Sequence, residues 1–222
     1  LHKEGLKMYT TDTTSIKTKQ LVILSMFSAI IILMAATPIG FIHLGFVKAT
    51  IIHIPVTVGS IILGPKMGAM LGFVFGASSL ITNTISPVIS SFVFSPFIPV
   101  PGTSSGSPWA LLICFIPRIL VGVIPWYVYR LLNKLVKDIR LNIISLAVAA
   151  VAGSATNTLL VTHLIYFLFK KEYAIARGVA ENAVYKVITS IIIGNGIPEA
   201  VVAAIVTTLV CKTLFVVLNK NQ

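Results

Sequence analysis

The sequence has 222 residues, of which 56% are hydrophobic and only 10% are charged, and its net charge is +11. Soluble domains carry about 25% charged residues, so this composition excludes a soluble globular protein. Residues 67–117 and 141–169 contain no Lys, Arg, Asp or Glu, and residues 187–211 contain only Glu199. Apolar runs of this length are typical of transmembrane helices. We therefore expect a multi-pass membrane protein.

The hydropathy pattern predicts six spans. They run from Leu21 to Ala36, Ala49 to Leu63, Met67 to Asn83, Trp109 to Leu132, Ile143 to Leu168 and Val187 to Phe215. The second and third are close to the shortest length that crosses a hydrocarbon core of about 30 Å. The predicted fold is an all-α, six-helix membrane bundle. Residues 1–20 form an N-terminal tail, 21–215 the membrane domain and 216–222 a C-terminal tail.

The distribution of basic residues predicts the orientation of this bundle. With six spans, eleven Lys and Arg residues lie on the side of the termini, five lie on the opposite side, and Arg118 lies within the membrane. The excess of positive charge on cytoplasmic loops then places both termini in the cytoplasm. Because the basic residues separate apolar runs and do not cluster on a soluble module, we expect the lipid bilayer, not nucleic acid, as their partner.

Loops on the outer side are predicted to cap a pocket. They cover residues 37–48, 84–108 and 169–186. The middle loop is rich in Ser and Pro and carries Phe92, Phe94 and Phe97 but no charge. A flexible linker in water would not hold three Phe, so we expect this loop to fold back over the bundle, as long loops at binding sites do. The first loop is similar, with Phe41, His43 and Phe46 among glycines.

Polar residues at membrane depth are costly and are candidates for function. Arg118 lies in the fourth span, Asn157 in the fifth, and Asn195 one turn before Glu199 in the sixth. Their depths are similar, so we expect them to converge. Two interpretations stay open: an Arg118–Glu199 ion pair that joins two helices, or a site where Arg118 and its neighbours orient an anionic or polar ligand.

Small residues at a spacing of four form stripes on three spans. The stripes are Gly64, Gly68, Gly72 and Gly76 on the third span, Gly196, Ala200, Ala204 and Thr208 on the sixth, and Ser25 and Ala29 on the first. Such stripes let membrane helices approach closely. Each stripe is interpreted either as packing within the bundle or as a docking face for another membrane subunit.

Motifs for catalysis and energy coupling are absent from the sequence. It has no GxxxxGK[ST] phosphate loop, no HExxH, no GxSxG and no paired carboxylates. Both cysteines lie in apolar runs, and there is no CxxC metal motif. We expect no metal, no cofactor bound by this chain and no enzymatic activity. Such a chain binds a solute but needs a partner to pump it.

Several segments resemble the substrate-binding S-components of energy-coupling factor (ECF) vitamin transporters. They are Ile52 to Val56, Leu63 to Gly68, Ser91 to Pro96, Pro117 to Gly122, Asn157-Thr158 and Asn195 to Ala200. The resemblance covers about residues 21–214, and the pattern is most similar to the pantothenate-specific members. It implies a protein of the bacterial plasma membrane that captures a vitamin at its outer face.

The resemblance also implies partners. An S-component associates with a membrane coupling subunit and two cytosolic ATPases, which hydrolyse the ATP, and it delivers its ligand inward by toppling in the membrane. In the family, an AxxxA pair on the first helix contacts the coupling subunit. Here the matching positions are Ser25 and Ala29, with Ser in place of the first Ala.

Pantothenate is a small anion with two hydroxyls and an amide, so its pocket needs a cation and several polar partners. The candidate substrate-binding residues are Arg118, Asn157, Asn195, Trp109, His53 and Asn83. Trp109 is also interpreted as an interfacial anchor, and His53 as a packing residue.

The alternatives within the family are folate, riboflavin or a thiamine precursor. The small number of Trp and Tyr residues favours a smaller ligand. Outside the family, the alternatives are a secondary transporter that uses Glu199 as a proton site and an intramembrane enzyme.

Overall fold

The computed structural model describes residues 2–44, 47–135 and 139–219, and the side chains of 17–38, 40, 50–135 and 142–217. The helices are α1 (His2–Ala36), α2 (His53–Leu63), α3 (Pro65–Ile85), α4 (Trp109–Val121), α5 (Ile124–Leu135), α6 (Ile139–Arg177), α7 (Val184–Ile191) and α8 (Ile197–Asn219). Strands β1 (Phe41–Leu44) and β2 (Val47–Thr50) form one antiparallel hairpin. Apart from this hairpin, the described chain is a helical membrane bundle. Phe41, His43 and Phe46 lie outside the described side chains.

Five helical segments of the described chain are long and apolar enough to cross a membrane. Helix α2 is not among them, because its eleven residues rise only about 16 Å, roughly half of a hydrocarbon core. The expected second span began at Ala49, but Ala49 and Thr50 belong to strand β2. The count of six spans is therefore not confirmed, nor is the orientation of the termini that depends on it.

Two of the expected spans are interrupted. The fourth consists of α4 and α5, which meet at Gly122 and Val123. The sixth begins with α7, continues through the π-helical turn Ile192–Gly196 and ends with α8. Wide helical turns of this kind frequently occur at functional sites, and this one carries Asn195.

The glycine stripe of α3 packs against α4. A side chain at Gly68 would collide with the carbonyl oxygen of Gly122, and one at Gly72 with the carbonyl oxygen of Arg118. Because both backbones approach where side chains are missing, α3 and α4 lie in direct contact. The packing interpretation is confirmed for this stripe, and it fixes the position of Arg118 relative to α3.

The stripe on α1, unlike the glycine stripe of α3, lies on an exposed surface of the bundle. Ser25 and Ala29 are exposed on a face that also presents Val22, Met26 and Leu33. The other face of α1 carries Leu24 and Ile31 into a core shared with α2 and α3. In the described chain, Ser25 and Ala29 are therefore not used for packing within the bundle.

The loop between α3 and α4 folds back over the helices. Phe92 and Val93 are buried in a core with Phe169 and Ile188 from α6 and α7, and the Phe92 and Phe169 rings meet edge to face at 5.9 Å. This part of the loop behaves as the sequence predicted. Phe97 does not, because 71% of its surface is exposed.

Candidate functional site

A cavity of about 450 Å³ lies beneath this loop. Such a volume is within the usual range for small-molecule sites. Its wall is formed by Ala35, Thr50, Ile52, Phe75, Ser79, Thr82, Asn83, Ser86, Val88, Ser90, Phe94, Arg118, Asn157, Thr158, Val161, Thr162, Ile191, Asn195 and Glu199. Four of the six predicted ligand residues line it: Asn83, Arg118, Asn157 and Asn195.

Arg118 is held in the wall by the backbone of its own helix. Pro117 lies inside α4 and has no N–H, so the carbonyl of Ile113, four residues earlier, lacks its helical partner. The Nη1 of Arg118 donates to that carbonyl at 2.6 Å. The sequence Pro117-Arg118 thus creates both a free acceptor and the side chain that occupies it.

Two aromatic rings complete the surroundings of the guanidinium. Its central carbon lies 4.9 Å from the centroid of Phe94 in the loop and 5.6 Å from that of Phe75 in α3. Arg118 is 7% exposed, and its Nε has no hydrogen-bond partner in the described part of the chain. Because a guanidinium has five N–H donors, this side chain retains donors for an anion in the cavity.

Glu199 lies in another part of the wall. Its Oε1 accepts the backbone N–H of Thr50 at 2.7 Å, and its Oε2 accepts the hydroxyl of Thr158 at 3.4 Å. Among the described side chains, the only ion pair joins Lys170 and Glu181. Of the two interpretations that the sequence left open, the Arg118–Glu199 ion pair is therefore wrong. The guanidinium turns to the Ile113 carbonyl, and the carboxylate turns to β2 and α6.

The two asparagines reach the cavity because α6 and α8 approach closely. A side chain at Gly196, the last residue of the π-helical turn, would meet the methyl group of Thr158 at 3.0 Å. Because Gly196 has none, this turn packs closely on α6. Asn157 and Asn195 then line the same cavity. The Oδ1 of Asn157 is buried and has no hydrogen-bond partner among the described residues. A buried acceptor of this kind is costly unless a ligand or water bonds to it.

Asn83 connects the wall to the loop above it. Its Nδ2 donates to the carbonyl of Ser79 at 2.8 Å, and its Oδ1 accepts the hydroxyl of Ser91 at 2.7 Å. The same Ser91 oxygen accepts the N–H of Val88 at 2.9 Å. Asn83 therefore lines the cavity and also fastens the segment that covers it.

The other two predicted residues lie outside the cavity wall. Trp109 begins α4 and is 54% exposed, as expected of a residue at a membrane interface. His53 begins α2 and is fully buried within the bundle.

Several lining residues were missed by the sequence reasoning. They are mainly hydroxyl side chains that neighbour the predicted residues: Ser79, Thr82, Thr158 and Thr162. A signal did exist, because Ser79, Thr82 and Asn83 share one face of a charge-free helix at a spacing of three and four. The sequence identifies Glu199 as an intramembrane acid and leaves open whether it contacts the ligand, pairs with Arg118 or carries a proton.

Comparison with known proteins agrees with this architecture. Residues 19–211 match the family described as "ECF transporter, substrate-specific component". The chain is 44% identical over 164 residues to the pantothenic acid transporter PanT of Lactococcus lactis subsp. cremoris, covering 71% of this chain and 80% of that protein. It is 38% identical over 115 residues to the pantothenate transporter PanT of Leuconostoc mesenteroides, covering 49% of each. The chain therefore belongs to the substrate-specific components of ECF transporters.

Proposed function

We propose that this protein is the pantothenate-binding subunit of an ECF importer. The observation that carries the proposal is Arg118, the one cation on the cavity wall among the described residues, buried and with an unpaired Nε. Both relatives named above are described as pantothenate transporters. A buried guanidinium in a cavity that amides and hydroxyls also line suits a small carboxylic acid that carries further polar groups.

Each polar group of pantothenate has a partner on the wall. The carboxylate binds the free N–H groups of Arg118, since charge-assisted bonds to guanidinium are the strongest of these interactions. Asn157, Asn195 and the hydroxyl of Thr158 serve the amide and the two hydroxyls. Phe75 and Phe94 cover the guanidinium and exclude water, which strengthens its attraction for the carboxylate.

Capture takes place at the outer face of the bacterial plasma membrane. The excess of Lys and Arg on the side of the termini supports a cytoplasmic location for the termini and an outer location for the 86–108 loop. The cavity lies beneath that loop. Membership of the S-component family implies that two cytosolic ATPase partners hydrolyse the ATP and that the loaded bundle delivers its ligand inward by toppling.

Docking to the coupling subunit uses α1. Ser25 and Ala29 are small and exposed at the centre of a face that packs on no other described helix. Small residues allow close contact between helices in lipid, so this face suits a partner helix.

Calorimetric titration of the purified protein tests the substrate. We expect saturable binding of pantothenate and none of riboflavin, folate or a thiamine precursor. Binding of another vitamin alone would keep the family and overturn pantothenate. Binding of none, together with transport driven by a proton gradient without ATP, would favour a secondary transporter in which Glu199 carries the proton.

The variant Arg118→Gln tests whether the charge of Arg118 binds the carboxylate of pantothenate. Its amide is neutral and ends two bonds short of the Nη1 position, so it offers no charge to the ligand and gives up the bond to the Ile113 carbonyl. We expect pantothenate affinity to fall at least 10-fold, as for a hydrogen bond to a charged group, while the protein stays monodisperse in detergent. Unchanged affinity would make Arg118 a structural residue.

A further inference from the structure

The Glu199 carboxylate has unused acceptor capacity in the cavity. It is 6% exposed, and no cation lies within 4 Å of it among the side chains that the structure describes. A carboxylate accepts about four hydrogen bonds. Among the described residues, this one is bonded by the backbone N–H and the side chain of Thr50 and, at a long 3.4 Å, by the hydroxyl of Thr158. A buried carboxylate without a cation is costly unless donors surround it.

Glu199 and Arg118 belong to different parts of the wall and have no partner in common. Arg118 contacts Phe75, Phe94 and the Ile113 carbonyl, which belong to α3, the covering loop and α4. The hydrogen bonds of Glu199 within the described chain come from Thr50 and Thr158, from β2 and α6. Because no ion pair between described side chains cancels these two charges, the described wall has one cationic and one anionic region.

We propose that Glu199 is a specificity-determining residue that accepts hydrogen bonds from the donor groups of the ligand. A bound acid then has one orientation, with its carboxylate at Arg118 and a hydroxyl or amide N–H at Glu199. The carboxylate of Glu199 also repels any ligand with a second negative charge at that end. This inference rests on the proposed function, because it assigns the other half of the same site.

The test combines one variant with a series of ligands. Glu199→Gln keeps the size of the side chain and an oxygen that can accept the Thr50 N–H, but replaces the other acceptor with a donor. The ligands are pantothenate, the two analogues that each lack one hydroxyl, and the analogue with an ester in place of the amide. Affinities are measured by calorimetry for the wild-type and variant proteins.

We expect Glu199→Gln to weaken pantothenate binding roughly 10- to 100-fold, the range for a hydrogen bond to a charged group. One analogue lacks the donor group that hydrogen-bonds to Glu199. The affinity of the wild-type protein for that analogue should be lower than for pantothenate by a similar factor. The variant should then bind that analogue about as well as the wild-type protein does. When the loss of affinity from the variant and the loss from the missing ligand group do not add, the two groups are in contact.

Two results would overturn the inference while the wild-type protein still binds pantothenate. Unchanged affinity of the variant is one. The other is an equal loss for pantothenate and all three analogues, because Glu199 would then only hold the hairpin through Thr50. If the wild-type protein does not bind pantothenate, the proposed function fails, and this assignment fails with it.

A second variant covers a folding failure of Glu199→Gln. Glu199→Asp keeps the charge but withdraws it from the cavity by one methylene, and we expect it to show the same dependence on the analogues. As a control, Thr207→Val removes a buried hydroxyl from the same helix at a position that does not line the cavity. It should leave the affinity unchanged, and a loss as large as that of Glu199→Gln would overturn the inference, because any change of a buried polar group in α8 would then disturb the site.

Discussion

The Nη1 of Arg118 donates at 2.6 Å to the carbonyl of Ile113, an acceptor that stays free because residue 117 is proline. A proline inside a helix normally weakens it, but here the acceptor that Pro117 leaves free holds the cation of the candidate site. The side chain is thus positioned by its own helix turn, and Phe75 and Phe94 pack against it.

Replacing Pro117 with Ala is expected to separate binding from stability. The new N–H competes with Arg118 for the Ile113 carbonyl, so the guanidinium loses a fixed position. Pantothenate affinity should fall about 2- to 10-fold, as for one hydrogen bond. Thermal stability should be kept or raised, because proline inside a helix is unfavourable.

Calorimetry and thermal unfolding in detergent measure the two effects of Pro117→Ala. Pro125→Ala is the matched control, since Pro125 lies in the first turn of α5, where proline displaces no helical hydrogen bond. Equal affinities of the Pro117 variant and the wild-type protein would show that the Ile113 carbonyl does not position Arg118.

The contact between α3 and α4 should not tolerate a side chain at Gly72. Gly72→Ala places its methyl group against the carbonyl of Arg118, which forces the helices apart. Overpacking of this kind costs about 1–3 kcal/mol, and the displaced α4 should also weaken ligand binding. Thermal unfolding and calorimetry measure both losses.

Gly194→Ala serves as the control for that contact, because a side chain there meets no atom within 4 Å. It should leave the unfolding temperature nearly unchanged. If Gly72→Ala is as stable as this control, the close approach of α3 and α4 is not required.

The bond between Asn83 and Ser91 should control how firmly the loop covers the cavity. Ser91→Ala removes the acceptor of the Val88 N–H and the donor to Asn83. We expect pantothenate to dissociate several times faster, since each bond contributes about 0.5–1.5 kcal/mol. Stopped-flow displacement measures the rate, with the exposed Ser104 replaced by Ala as the control. Equal rates for the two variants would contradict this role of the loop.

A bulky side chain on the exposed face of α1 that carries Ser25 and Ala29 should block transport but not pantothenate binding. Ala29→Trp fills the centre of the exposed small-residue face, so the partner helix can no longer approach. Ile205→Trp, at another exposed position in α8, is the control and should transport normally. Uptake in reconstituted vesicles with the coupling subunit and ATPases measures transport, and calorimetry measures binding. Normal uptake by Ala29→Trp would remove this face from the docking surface.

The family and much of the site could be predicted from the sequence. Charge-free runs, and the polar residues inside them, can be read directly from the sequence. Because a polar group is costly inside a membrane, such residues indicate a functional site. That reasoning identified Arg118, Asn157 and Asn195, and all three line the cavity. The composition of the loop predicted that Phe92, Phe94 and Phe97 fold back over the bundle, which is wrong for the exposed Phe97.

Only the tertiary structure decided which polar groups meet. The sequence places Arg118 and Glu199 at similar depths, but whether they pair depends on the direction of each side chain, and those directions follow from the Ile113 carbonyl and the Thr50 N–H. The short α2 also came from tertiary structure, since residues 49–50 pair with β1 instead of extending the helix. Composition determines where a residue lies relative to the membrane, whereas its partners depend on helix contacts between residues far apart in the chain.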